Sequence, residues 1–131
     1  MREEPPVIVD GSHNPQAASV LATAIRDAFP NPASRPLVLL GVLADKDARG
    51  IIEALAPVVS GFAVTQPGSL RALPAQALGA LVLEVTGTEP RAAFASVAEA
   101  LAALVSHADD GLIVTGSITT AGEARALLRN A

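Results

Sequence analysis

Two regimes alternate along the chain: short, unbroken apolar runs, and longer stretches with apolar residues at helical spacing. Val7-Ile8-Val9 is a β-branched run that stops at Asp10-Gly11. Asn14-Pro15 then has the chemistry of a helix start, with Asn as N-cap and Pro at the first helical position, where its missing N–H costs nothing. Ala18, Leu21, Ala22, Ile25 and Phe29 follow at helical intervals until Pro30-Asn31-Pro32 closes the segment. Leu37 to Val42 is apolar throughout, the pattern of a strand covered on both faces. Asp47 is placed to cap a helix whose Ile51, Ile52 and Leu55 face the core, and Pro57 ends it.

Phe62-Ala63-Val64-Thr65 predicts the third strand, and Pro74 opens a helix carrying Ala77, Leu78, Leu81 and Val82. From Thr86 to Phe94 the pattern is ambiguous and admits a short strand. Ser96 and Glu99 have capping-box spacing ahead of Leu101, Leu104 and Val105, and Thr120 and Glu123 have it ahead of Leu127 and Leu128. Gly111 to Thr115 is a further buried strand. The alternation of strands and helices predicts a three-layer, Rossmann-like α/β domain, with a mostly parallel sheet and helices on both faces. Residues 1–131 are expected to form one such domain, because no long linker or repeat divides them.

Composition narrows the function. Half the residues are apolar and 17% are charged, which excludes a disordered tail. The net charge of −4, with no Trp or Tyr, argues against a nucleic-acid partner. Cysteine is absent, so disulfides, thiolate metal sites and a Cys nucleophile are excluded; two His far apart in sequence do not suggest a metal site either. No apolar run reaches the roughly 18 residues of a membrane span, and the first residues lack the apolar core of a signal peptide. A cytoplasmic protein without a membrane partner is the expectation.

Ligands of open parallel sheets bind beyond the carboxyl ends of the strands. Four polar segments follow strands here: Asp10 to Pro15, Leu43 to Asp47, Gln66 to Arg71, and Thr115 to Thr120. Asp10 can accept hydrogen bonds from ribose hydroxyls, and His13 sits just before a helix N-terminus, a natural phosphate site. Equally, Asp10 and Asn14 can simply shape the turn and cap the helix. Lys46, the only lysine, is either a solvated charge or a carboxylate or phosphate ligand held out between Asp45 and Asp47. Ser117 lies in a helix-entry loop for which Thr119 and Thr120 are natural caps. Arg71 reads as a surface charge, and His107 as structural near a helix C-terminus. Neither G-x-x-x-x-G-K-[ST], G-x-G-x-x-G nor G-x-S-x-G occurs.

Four blocks carry a family resemblance. Val7 to Pro15, reading V-I-V-D-G-S-H-N-P, resembles the D-G-A-H-N-P signature of folylpolyglutamate and dihydrofolate synthases, with Ser12 in place of the usual Ala. Gly41 to Asp47 resembles their G-x-x-x-D-K-D loop. Val64-Thr65-Gln66 with Ser69 and Arg71-Ala72, and Val114 to Ser117 with Gly122 to Arg125, are similar to the next two blocks in family order. The resemblance implies the carboxy-terminal domain of a Mur-ligase-like, ATP-dependent amide ligase. Such an enzyme adds L-glutamate to a folate or dihydropteroate carboxylate through an acyl phosphate, with Mg²⁺ held by an amino-terminal P-loop domain. It also implies that Asp10 contacts the ATP ribose, that His13 lies at the phosphates as a cofactor-binding and catalytic residue, and that Lys46 and Ser117 bind the incoming glutamate. The family's upstream nucleotide-contacting arginine is expected to precede this chain. Another Mur-type ligase, and a non-catalytic nucleotide-binding module, are the alternatives.

Overall fold

The computed structural model describes residues 6–106 and 110–130; His107 and Arg2 lie outside the described residues. Among the described residues the strands are β1 (Val7–Val9), β2 (Leu37–Leu40), β3 (Gly61–Val64) and β4 (Leu112–Thr115). The helices are α1 (Pro15–Ala28), α2 (Ala48–Leu55), α3 (Ala75–Thr86), α4 (Val97–Leu104) and α5 (Ile118–Arg129). The sheet has the order β1-β4-β2-β3, and every pairing in it is parallel. The strand that comes last in the chain is therefore wedged between the first two.

Side chains of a strand point alternately to opposite faces, and here both faces are covered. Val38, Leu40, Phe62, Val64 and Ile113 pack against α1, α2 and α3. Leu37, Leu39, Ala63, Leu112 and Val114 pack against α4 and α5. That two-sided burial explains why the strands read as unbroken apolar runs. Ile51, Ile52, Leu55 and Leu78 are fully buried, and each side chain contributes roughly 1.5–3 kcal/mol by leaving water.

Helix starts follow the local chemistry. Asn14 accepts from the Ala17 N–H at 2.8 Å, Asp47 from Gly50 N–H at 2.9 Å, and Ser96 from Glu99 N–H at 3.1 Å. Pro74 has no such side chain to offer, and Gln66 Oε1 accepts the Ala75 N–H instead, at 3.0 Å. The last helix departs from expectation. It begins at Ile118 with Ser117 as N-cap, because Ser117 is extended and its hydroxyl accepts the Thr120 N–H at 2.9 Å. Thr120 is thus inside the first turn, and Glu123 reaches across to accept from Gly68 N–H at 2.9 Å.

The ambiguous segment resolves into a helix stop and an edge cover. Gly87, at φ 75, ends α3 in the left-handed conformation. Arg91 N–H then bonds to Phe62 O at 2.8 Å and Phe94 N–H to Val64 O at 2.9 Å, with one parallel bridge between Val64 and Ala93. No strand forms, but the open edge of β3 is covered.

Gly116 is a tight point of the fold, pressed against backbone. Its φ is 118, and a Cβ there would lie 2.5 Å from the Gly41 carbonyl oxygen. Gly116→Ala is expected to destabilise the domain by about 1–3 kcal/mol or more, from backbone strain plus the clash. Gly122 lies in α5 with nothing within 4 Å of the same atom, so Gly122→Ala should stabilise by roughly 0.5–1 kcal/mol. Urea unfolding of both variants checks this pair; equal effects of one sign would contradict it.

Candidate functional site

After β1 the chain enters α1 on one face of the sheet, and after the neighbouring β4 it enters α5 on the other face. The loops that follow these two strands must part, which opens a crevice at the carboxyl edge. The same divergence occurs between β4 and β2, whose following helix α2 lies on the α1 side. Hydrogen bonds join the loops around these openings. Gly116 N–H donates to Ser12 O at 3.1 Å, Gly41 N–H donates to Thr115 O at 3.1 Å, and the Thr120 hydroxyl donates to Gly41 O at 2.9 Å.

Asp10 extends the β1 ladder through its N–H to Val114 O at 2.9 Å, and its half-buried side chain faces the end of β4. Oδ2 accepts from the Ser12 N–H at 2.8 Å and from the Ser12 hydroxyl, with the Thr115 hydroxyl at 3.5 Å. His13 places Nδ1 3.1 Å from Gly11 O. A carbonyl can only accept, so Nδ1 carries the proton and Nε2 of the neutral ring carries the lone pair. Both side chains thus stand beside the amino end of α1, where the helix dipole favours an anion.

Lys46 follows β2 on the same edge, in a turn closed by Lys46 N–H to Leu43 O at 3.1 Å. Its side chain is exposed, and both flanking carboxylates are engaged elsewhere. Asp47 caps α2, and Asp45 is paired with Arg71. Ala44 N–H to Arg71 O at 2.7 Å and Leu73 N–H to Val42 O at 2.9 Å strap the two loops together. Partial desolvation alone would raise the Asp45 pKa. The hydrogen bond from Arg71, a backbone hydrogen bond, and the charges of Arg71 and Lys46 outweigh it and lower the pKa below its ordinary 3.8. Arg71, read from sequence as a plain surface charge, holds the Lys46 loop; two acids beside one lysine were the available signal for a second cation.

Ser117 lies at the same edge but is only 1% exposed. Its hydroxyl accepts the Thr120 N–H and donates to Thr120 Oγ1 at 2.7 Å, so it serves the helix end rather than the crevice surface. A separate cavity of about 640 Å³ opens between Gln66–Leu70, the start of α4 and α5. Among the described residues Glu123 is its only charged lining residue, so a phosphate or carboxylate would meet a carboxylate there, and the crevice is the better candidate site. Among the described residues no group of three or more His, Asp or Glu side chains could hold a metal ion, and no helix is long and apolar enough to cross a membrane.

Parallel strands, a crevice where the following helices diverge, and an acid and an imidazole beside a helix N-terminus define an open α/β domain with a candidate ligand site at its carboxyl edge. A family model described as "Mur ligase, glutamate ligase domain" matches residues 1–118, and the chain belongs to that family. It is 37% identical to the dihydrofolate synthase/folylpolyglutamate synthase of Mycobacterium tuberculosis, over 97% of this chain and 29% of that protein. The solved folylpolyglutamate synthase of the same organism, complexed with ADP and AMPPCP, superposes with a TM-score of 0.80 at 38% identity, over 92% of this chain and 29% of the other. A bifunctional folylpolyglutamate synthase/dihydrofolate synthase from Yersinia pestis, complexed with AMPPNP and a Mn ion, gives a TM-score of 0.76 at 26% identity, covering 98% and 30%. The chain spans less than a third of the length of these relatives.

The strap on Asp45 makes a pH prediction. A depressed carboxyl pKa contributes stability above the unfolded value, and that contribution is lost as pH falls through the folded value. In carboxyl NMR titrations Asp45 should ionise below 3.8, Arg71→Ala should move it upward, and Lys46→Ala should move it less. A larger shift from the lysine change would refute this ranking.

Proposed function

We propose that this chain is the carboxy-terminal glutamate-ligase domain of an ATP-dependent folylpolyglutamate or dihydrofolate synthase. The whole enzyme joins L-glutamate to a folate or dihydropteroate carboxylate, which ATP first converts to an acyl phosphate. The carrying observation is the carboxyl edge itself, with the Asp10 carboxylate and His13 after β1 at the amino end of α1, and Lys46 after β2 on the other side of β4. Asp10 accepts ribose hydroxyls. His13, its Nδ1–H held by Gly11 O, turns Nε2 toward the phosphates and donates to them when protonated.

Lys46 takes the glutamate carboxylate as a point charge that its flanking acids leave uncompensated. Ser117 serves the same carboxylate by fixing the amino end of α5, whose dipole favours an anion. Magnesium neutralises charge on the nucleotide phosphates; the chain's described residues offer it no ligand cluster, and its ligands are assigned to an amino-terminal P-loop domain. That domain is also this chain's principal protein partner.

Asp10→Ala separates function from scaffold. If Asp10 binds ribose, the change in the full ligase should weaken ATP use by about 1.5–3 kcal/mol, roughly ten- to a hundredfold in kcat/KM. KM for glutamate should move much less, and the 131-residue domain should keep most of its melting temperature. Unchanged ATP kinetics with a large loss of stability would assign Asp10 to the turn alone. The 131-residue chain by itself should show no ATP- and folate-dependent glutamate incorporation.

A further inference from the structure

Three donors converge on one oxygen of Asp10. The Ser12 N–H reaches Oδ2 at 2.8 Å, the Ser12 hydroxyl bonds to the same atom, and the Thr115 hydroxyl stands at 3.5 Å. A carboxylate oxygen has two lone pairs, and Ser12 alone supplies a donor for each. The Ser12 hydroxyl has one proton and a second acceptor nearby, the Ala17 carbonyl at 3.4 Å. The nearer, charged oxygen takes it. Ser12 is itself anchored, since its own carbonyl accepts the Gly116 N–H at 3.1 Å. The pair of bonds from one anchored residue therefore fixes the plane of a carboxyl group whose terminal torsion is otherwise broad.

We propose that Ser12 is a positioning residue for the nucleotide: its hydroxyl saturates Oδ2 of Asp10, fixes the carboxylate, and commits Oδ1 to the ribose hydroxyls. The inference rests on the reading of Asp10 as the ribose acceptor. An Ala at position 12, the residue of the motif this segment resembles, would keep the backbone donor but lose the second one. Orientation of the carboxylate would then be set during binding instead of before it, which costs affinity.

The test uses the full ligase, with Ser12→Ala, Ser12→Thr and Asp10→Ala. Ser12→Ala places the motif's own residue in the loop, so the variant is expected to fold, and its melting temperature is measured alongside. It should raise KM for ATP about three- to tenfold, the loss of one hydrogen bond of this kind, and leave KM for glutamate within about twofold. Ser12→Thr, which keeps the hydroxyl, should restore KM for ATP to within about twofold of the parent. With 2′-deoxy-ATP or 3′-deoxy-ATP, whichever lacks the hydroxyl that Asp10 accepts, the Ser12→Ala effect should largely vanish.

An unchanged KM for ATP in Ser12→Ala, while Asp10→Ala weakens ATP, overturns the role of Ser12 and leaves the ribose reading standing. An equal Ser12→Ala effect on ATP and on both deoxy analogues also overturns it, because the residue would then act through something other than Asp10. No effect of Asp10→Ala on ATP use removes the ribose reading itself and the inference with it.

Discussion

The edge that carries the candidate site depends on the passage of Thr115 and Gly116 between two other strand ends. Thr115 O accepts the Gly41 N–H on one side, and Gly116 N–H donates to Ser12 O on the other. Gly116 can run this close to the Gly41 carbonyl only because it has no side chain and tolerates a positive φ. A bulkier residue would push the β2 loop from the β4 loop and so separate the groups that follow each strand. The buried Thr120 hydroxyl closes the same gap from within α5, bonding to the other face of the contact at Gly41 O. Geometry among Asp10, Lys46 and the end of α5 is therefore set by backbone contact rather than by flexible side chains.

Carboxylates along this edge are engaged by neighbours in two different ways. Asp45 and Asp47 flank Lys46 in sequence, where simple proximity would neutralise it. The guanidinium of Arg71 takes one of these acids and the Gly50 N–H takes the other. Asp10 is treated the opposite way, since its donors gather on one oxygen and leave the second uncommitted by Ser12. An exposed ion pair such as Arg71–Asp45 adds little to stability, so its value lies in local arrangement.

Much of this was legible in the sequence, and the boundary is physical. The strands at Val7, Leu37, Phe62 and Leu112 and the caps at Asn14, Asp47 and Ser96 depend on neighbours a few residues away, and a local pattern carries that information. The order of the strands depends on pairings between distant segments and left no local trace. The start of α5 was misplaced because Ser117 and Thr120 both carry cap-competent hydroxyls at the same spacing from a plausible partner. Only the extended backbone of Ser117 decides between them. The candidate residues Asp10, His13 and Lys46 lie on one edge because loops after parallel strands share one side. The engagement of Asp45 by Arg71, and of Asp10 by Thr115, needed three-dimensional contact to become visible.

The central place of β4 also fixes when the domain can become itself. Val7 pairs with Leu112, and Leu37 pairs with that same residue from the other side. As the chain emerges from a ribosome, β2 and β3 and their helices can assemble early, but β1 has no strand to join until residues near 112 have appeared. Closing so long a loop is an entropic cost met before the pairing rewards it, which slows folding. The loops of the carboxyl edge can lock together only after that pairing. A nascent chain stopped short of β4 would retain an α2–α3 half core and expose the inner edge of β2, a surface for chaperones rather than for nucleotide.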